Sequence, residues 1–214
     1  MIDVIIADDH HLIRRGFRQY IERIGDMQVV AEAETGAELM QLCSEAHYDI
    51  ILLDISLPDK NGLEVLKDVR ARCPSATILI LSMHPEEMYA KRALENGAAG
   101  YVTKGSSPEE LERAIRKAFS GGRYISETLA EELAAEIGEG HPELPHQRLS
   151  DREFQILILL GSGWRAKDIA GNLHLSLSTV HTYKQRIMEK LDVHSTAELF
   201  QYVYTNHLLD SSRM

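Results

Sequence analysis

Residues Val4–Ile24 read "VIIADDHHLIRRGFRQYIERI". A run of β-branched and small apolar residues, Val4–Ala7, stops at two adjacent carboxylates, Asp8 and Asp9. An amphipathic stretch follows, with Leu12, Phe17, Tyr20, Ile21 and Ile24 on one stripe at helical spacing. The pattern predicts a strand, a polar junction and a helix, and it recurs. Gln28–Ala33, Ile50–Asp54, Thr77–Ser82 and Gly100–Thr103 are further strand-length apolar runs separated by helix-length segments. Leu63, Val65, Leu66 and Val69 form a second stripe, and Pro85 and Pro108 mark helix starts. Apolarity along these runs is continuous rather than alternating, as in strands covered on both faces. Five β-then-α units predict an α/β domain with a five-stranded parallel, doubly wound sheet, flavodoxin-like in plan, over residues 1–120.

The rest of the chain has another character. Gly121-Gly122 breaks the pattern, Glu127–Ile137 is acidic and helix-prone, and "GEGHPELPHQ" (Gly138–Gln147) has the composition of a mobile linker, so residues 121–147 are assigned to a linker with a short helix. Residues 148–214 predict an all-α domain. Ser150 and Glu153 make a capping-box pattern, and helices are expected over Asp151–Leu160, Ala166–Leu173, Leu177–Leu191 and Ser195–His207. Net charge is −10, from 23 Lys/Arg and 33 Asp/Glu. Seven of each lie in residues 149–214, so the whole excess sits on residues 1–148. A neutral rear half leaves nucleic-acid binding open there. No apolar run reaches the roughly 20 residues of a membrane helix. Cys43 and Cys73 are too few for a disulfide framework. A soluble, cytoplasmic protein without membrane contact is expected.

The strand ends carry the chemistry. In a doubly wound sheet, ligands gather outside the carboxyl ends of the strands. Asp8/Asp9, Asp54, Ser82 and Lys104 all end predicted strands. Two carboxylates ~4 Å apart repel by about 4 kcal/mol at an effective dielectric near 20, so three in one pocket protonate or need a cation. A hard divalent ion such as Mg2+ suits such oxygen ligands. Lys104 adds a compact positive charge and Ser82 a hydroxyl. This set suits phosphoryl transfer to a carboxylate, with Asp54 as nucleophile. Neighbouring histidines at a helix start diverge, which places His10 at the pocket rim as a bystander and His11 on the helix surface. His84, two after Ser82, is a candidate to sit over the pocket and tune loss of the phosphoryl group.

In the rear half, "AKDIAGNLHLSLSTVHTYKQRIMEKL" (Ala166–Leu191) is patterned as two helices joined by a tight turn. Ile169, Ala170 and Leu173 pack the first, with Ala170 and Gly171 allowing close approach. Ser176 or Ser178 caps the second, whose stripe is Val180, Tyr183, Ile187 and Leu191. Its other face, Ser178, Thr179, His181, Thr182, Lys184, Gln185 and Arg186, with Arg165 and Lys167 nearby, offers donors to phosphates and base edges. Composition alone is equally compatible with a solvated helical bundle.

"ADDHHLIRRGF", "DIILLDISLPDKNGLEVL", "ILILSMH" and "NGAAGYVTKG" resemble the receiver domain of two-component response regulators. "LSDREFQILILLGSGWRAKDIAGNLHLSLSTVHTYKQRIMEKLDVHSTAEL" resembles the LuxR-type helix-turn-helix, and the whole chain resembles a response regulator of the NarL/FixJ type. The resemblance implies Asp54 as phosphoacceptor, with Asp8, Asp9, Asp54 and the Ser56 carbonyl around Mg2+. It implies Ser82, Tyr101 and Lys104 as the switch and phosphate-contacting residues. It implies a sensor histidine kinase as donor, double-stranded DNA as ligand and a homodimer on that DNA. The implied function is a phosphorylation-dependent transcriptional regulator that accepts phosphate and slowly loses it, rather than an enzyme. Gly105 stands where many receivers have Pro after the lysine, which predicts a less constrained Lys104 loop. Relatives often carry Lys at His181, His at Tyr183 and a basic residue near Gln185, so the bases read are left open. Two rival functions are an aspartyl-phosphate phosphotransferase or phosphatase, and a phosphorylation-switched protein-binding adaptor without DNA binding. Against the enzyme, Ile55 and Ser56 follow Asp54, and no second carboxylate stands two residues on.

Overall fold

The computed structural model describes residues 1–45, 48–131, 133, 144–206 and 208–209. The chain divides into two compact units, Met1–Ala135 and Glu136–Met214. The first is a parallel sheet of β1 (Ile2–Ala7), β2 (Met27–Ala33), β3 (Ile50–Asp54), β4 (Thr77–Ser82) and β5 (Gly100–Thr103). Helices α1 (His11–Arg23), α2 (Gly36–Glu45), α3 (Gly62–Arg72), α4 (Glu86–Glu95) and α5 (Pro108–Phe119) alternate with the strands. Strand order is β2-β1-β3-β4-β5, all neighbours parallel. The order turns back between β1 and β3, so a crevice opens beyond their carboxyl ends.

Burial explains the strand pattern. All five residues of β3 are buried, and Ile5, Ile6, Leu52 and Leu53 have no exposed surface. Ile21 of α1 and Leu111, Ala114, Ile115 and Ala118 of α5 pack against Val4, Ile6, Leu52, Leu79, Leu81 and Val102. Both faces of the sheet are therefore dry, and alternation disappears from the sequence. One expectation about α1 needs correction. Leu12 is 79% exposed, because it sits in the first turn, off the face that carries Ile21. Its place on the inner face is taken by Arg14, which is buried and lies seven residues before Ile21.

The linker assignment also meets structure. Tyr124 pairs with Gly100 beside β5, its N–H donating to the Ala99 carbonyl at 2.7 Å. Residues 127–131 are helical and Leu129 is buried. Residues 134–143, most of the acidic helix's end and of the Gly/Pro segment, lie outside the described residues. Pro145–Arg148 is a 3-10 turn rather than free linker. The His146 ring Nδ1 lies 3.0 Å from the Tyr202 hydroxyl, which also accepts the His146 N–H at 3.2 Å.

The second unit holds α6 (Asp151–Gly161), α7 (Ala166–Asn172), α8 (Leu177–Leu191) and α9 (Thr196–Thr205). The capping box at Ser150 forms: Ser150 Oγ accepts the Glu153 N–H and Glu153 accepts the Ser150 N–H at 2.8 Å. Arg152, buried, donates to the Leu173 carbonyl at 3.0 Å and ties α6 to the turn between α7 and α8. That turn is made without glycine: His174 takes φ 51°, in the left-handed region, after the end of α7. Ser176, not Ser178, caps α8, accepting the Thr179 N–H at 3.0 Å. Gly171 is exposed with open space about it, so it mediates no close approach; Ile169, Ala170 and Leu173 do the packing. Both cysteines are free, as expected. No helix among the described residues is long and apolar enough to cross a membrane.

Candidate functional site

The end of β1 and the end of β3 bring their carboxylates together. Asp8 has no exposed surface and Asp54 1%. Lys104, at the end of β5, reaches back between them: its Nζ lies 2.6 Å from Asp8 Oδ2 and 2.7 Å from Asp54 Oδ2. Fifty positions of sequence separate Lys104 from Asp54. The sheet register closes that gap, since Asp54 pairs with Leu81 and Ser82 pairs with Thr103. The backbone supports the lysine, because its N–H donates to the Ser82 carbonyl at 2.7 Å. Thr103 and Ser106 share a hydroxyl hydrogen bond of 2.8 Å across the loop. Gly105 thus sits in a turn with a hydrogen bond on either side.

Burial raises the Asp54 carboxyl above the ordinary carboxylate range; Lys104 pulls it back and Asp8 adds to the rise. Ser56 lies close, its backbone N–H favouring the charged form. Even so, Asp54 Oδ1, Asp8 Oδ2 and Asp9 Oδ1 are buried atoms without a well-formed hydrogen bond. Lys104 still meets Asp8 Oδ2 and His10 Nδ1 meets Asp9 Oδ1, which leaves Asp54 Oδ1 as the unpartnered oxygen of a carboxylate set that fits a divalent cation. One atom each from Asp8, Asp9, His10 and Asp54 all lie within 4.8 Å of one another. This acidic cluster could hold a divalent metal.

Loop residues that carry no charge chemistry of their own shape the pocket. Gly62 packs so tightly that a Cβ there would fall 2.1 Å from the Asp54 carbonyl oxygen. Its N–H donates to the Ile55 carbonyl at 2.8 Å, folding the β3–α3 loop back over the strand end. Asn61 caps α3 through Leu63 N–H, and Asp59 accepts Gly36 and Ala37 N–H at the start of α2.

Ser82 is fully buried, and its Oγ accepts the His84 N–H at 3.1 Å. The Tyr101 side chain is turned inward, 2% exposed, and donates to the His84 carbonyl at 2.9 Å. Burial holds its phenol well above the ordinary range, so it remains a donor. His84 therefore joins Ser82 to Tyr101 through its backbone. Its ring packs against Tyr89 at 5.1 Å between centroids.

Sequence reasoning missed Arg14. Its guanidinium donates to the Asp8 carbonyl at 2.5 Å, to Glu32 at 3.1 Å and to Glu34. The signal was available: Arg14 shares the inner stripe with Phe17 and Ile21, and a cation there needs buried partners. His10 lies at the pocket rim, its side chain 62% exposed. Its backbone N–H donates to Asp8 Oδ1 at 2.8 Å, and its Nδ1 lies 2.6 Å from Asp9 Oδ1.

In the second unit, α8 buries Val180, Ile187 and Leu191, with Tyr183 half-buried. Ser178, His181, Thr182, Gln185 and Arg186 are exposed on its other face, Thr179 less so, and Arg165 and Lys167 are exposed around the start of α7. Lys184 departs from the expected pattern: it is half-buried, and its Nζ donates to Thr196 Oγ1 at 2.9 Å. A helix is thus left with a polar, mixed donor–acceptor face of the kind that fits a DNA groove.

The chain is similar to known proteins along nearly its whole length. The family model for the response regulator receiver domain matches residues 4–116, and that for bacterial regulatory proteins of the luxR family matches residues 147–203. The response regulator UvrY of Escherichia coli is 36% identical over 200 residues, covering 93% of this chain and 92% of UvrY. The response regulator GacA of Pseudomonas aeruginosa is 34% identical over 213 residues, covering 99% of this chain and all of GacA. Among solved structures, RcsB of Salmonella enterica serovar Typhimurium, bound to a promoter in the presence of phosphomimetic BeF3−, matches 95% of this chain and 98% of RcsB. Its TM-score is 0.66 and its identity 27%. A LuxR-family two-component response regulator from an Aurantimonas species matches 64% of this chain and 98% of its own, at TM-score 0.59 and 40% identity.

Proposed function

We infer the function from membership: the chain belongs to the response regulators that join a receiver domain to a luxR-family regulatory domain. It is a phosphorylation-dependent, DNA-binding transcriptional regulator. Residues 1–120 take the phosphoryl group on Asp54, residues 148–214 bind double-stranded DNA, and 121–147 connect them. The observation that supports this most is the Asp54 carboxylate, buried, paired at 2.7 Å with Lys104 and faced by Asp8.

The donor is the phosphohistidine of a sensor histidine kinase. A carboxylate oxygen of Asp54 attacks its phosphorus, the P–N bond breaks, and the electron pair returns to the departing imidazole, which takes up a proton. Asp54 needs no general base because it attacks as the ionised form. Asp8, Asp9, Asp54 and the Ser56 carbonyl would hold Mg2+, which screens charge on the transferred group. Lys104, already at the carboxylate, stays beside the new phosphoryl oxygens as a fixed cation. Ser82 turns its hydroxyl toward them and gives up the His84 N–H, and Tyr101 follows through the His84 carbonyl. That rearrangement is the switch. Slow hydrolysis of the aspartyl phosphate resets it, so the protein turns over no external substrate. On DNA, two copies read paired half-sites with α8, through Ser178, Thr179, His181, Thr182, Gln185 and Arg186, with Arg165, Lys167 and Lys184 on phosphates. The protein works in the cytoplasm.

The test is phosphorylation by a small-molecule phosphodonor with Mg2+, followed by selection of genomic DNA fragments. Wild type should take one phosphoryl group and enrich specific fragments, and Asp54→Ala should do neither. Phosphorylation of Asp54 without any change in DNA enrichment would leave the adaptor reading in its place.

A further inference from the structure

The cluster at the end of β1 and β3 contains one group that an all-oxygen magnesium site does not need. His10 follows the two carboxylates, and its own N–H is tied to Asp8 Oδ1 at 2.8 Å, so the base of its side chain is held at the pocket. Its ring Nδ1 faces inward, 2.6 Å from Asp9 Oδ1 and 3.4 Å from Asp8 Oδ1. It shares with Asp8, Asp9 and Asp54 the set of ligand atoms lying within 4.8 Å of each other. Independently, Asp54 Oδ1, on a residue 1% exposed, has no hydrogen-bond partner and lies in the same cluster. Three carboxylates against one ammonium leave a net negative pocket, which a divalent cation would neutralise.

We propose that His10 is a further protein ligand of this cation site and adds an affinity for first-row divalent transition metals that magnesium does not share. The inference rests on the cation site proposed above and concerns which ion fills it. Magnesium is hard, bound through oxygen, and gains little from an imidazole; cobalt and zinc accept nitrogen readily, and manganese less so. An Nδ1 ligand also leaves Nε2 free to donate to water, the usual arrangement of a metal-bound imidazole. The side chain is 62% exposed and makes no capping bond to α1, so it is free to settle on a cation and replacing it does not threaten the fold.

The experiment uses the full chain and three variants. Affinities for Mg2+, Mn2+ and Co2+ are measured by calorimetry for wild type, His10→Gln, Asp9→Asn and Asp54→Asn, and nitrogen hyperfine coupling is recorded on bound Mn2+. Glutamine keeps an N–H donor for Asp9 and offers only a hard oxygen to a metal. In His10→Gln, Co2+ affinity should fall roughly tenfold or more, and Mn2+ affinity by less. Mg2+ affinity should change by less than about threefold. The nitrogen coupling of wild type should disappear. Equal losses for all three ions, unchanged affinity for all three, or no nitrogen coupling in wild type would each overturn the role of His10 while leaving the acidic site intact. If Asp9→Asn and Asp54→Asn bind all ions as wild type does, the cation site itself is wrong and the inference falls with it.

Discussion

Replacing Asp54 by Asn should make the first unit more stable when no divalent cation is present, although it removes a salt bridge. The Lys104–Asp54 pair at 2.7 Å contributes about 6 kcal/mol of attraction at an effective dielectric near 20. Asp8 and Asp9 offer ligand atoms within 4.8 Å of Asp54, and each repels it by at least about 3.5 kcal/mol on the same scale. The two repulsions slightly outweigh the attraction, and Lys104 keeps Asp8 as a partner in the variant. The cost of dehydrating a carboxylate that is 1% exposed is then not recovered. Neutral replacement of poorly compensated buried charges stabilises by about 1–4 kcal/mol, which is the gain expected for Asp54→Asn. In a unit of this size each kcal/mol is worth about 4 °C of Tm. The sign of the pH dependence follows from the raised carboxyl. Between the unfolded value, near 3.9, and the higher folded value, the native state binds more protons than the unfolded state, so wild-type stability falls as pH rises through that window. The advantage of Asp54→Asn should be full above the folded value and fade as pH drops toward about 4. Thermal unfolding by circular dichroism in EDTA measures it. The single tryptophan, Trp164, lies in the second unit, so the transition that leaves tryptophan fluorescence unmoved belongs to the first. A variant less stable than wild type at neutral pH in EDTA, or a gain that grows on acidification, would refute this electrostatic account.

Other changes have equally definite outcomes. Gly62→Ala drives a Cβ into the Asp54 carbonyl, a backbone clash that should cost at least about 1–3 kcal/mol in chemical denaturation and lower the extent of phosphorylation. Arg14→Met strands the buried Asp8 carbonyl, so a loss of about 1–3 kcal/mol is expected, with weaker cation binding by calorimetry. At Glu153, burial alone would raise the carboxyl, but the Lys190 and Ser150 bonds outweigh it and lower it. Its stabilisation is therefore present above the unfolded value and lost as pH falls through the folded one, and Lys190→Met should flatten that acid limb in tryptophan-monitored unfolding. Ser150→Ala removes the cap itself, at about 1 kcal/mol. Lys167→Ala should reduce the slope of log affinity for DNA against log salt by about 0.9, read by fluorescence anisotropy.

Local pattern was enough for the architecture. Ile50–Asp54, Thr77–Ser82 and Gly100–Thr103 are strands because continuous apolar, β-branched runs of that length are stable only when both faces are covered, and a parallel sheet between helices covers them. The same locality placed a carboxylate, a hydroxyl and a lysine at strand ends, and the order of units was enough to send those ends to one edge. Ser150 with Glu153 was legible because a capping box spans only four residues. Periodicity failed where position matters more than period. Leu12 lies nine residues before Ile21, on the opposite side of α1, and Arg14 looks like a surface charge until Glu32, Glu34 and the Asp8 carbonyl close around it. Only the tertiary structure decided that Lys104 lies 2.6 Å from Asp8 as well as 2.7 Å from Asp54, because that distance depends on sheet register across three strands. It alone decided that Gly62 must lack a side chain, that His84 couples Ser82 to Tyr101 by its backbone, and that His10 turns its ring inward. Sequence determines which groups reach the end of the sheet, since that depends on neighbours along the chain. Which of them touch depends on contacts between residues tens of positions apart, and those exist only once the strands have paired.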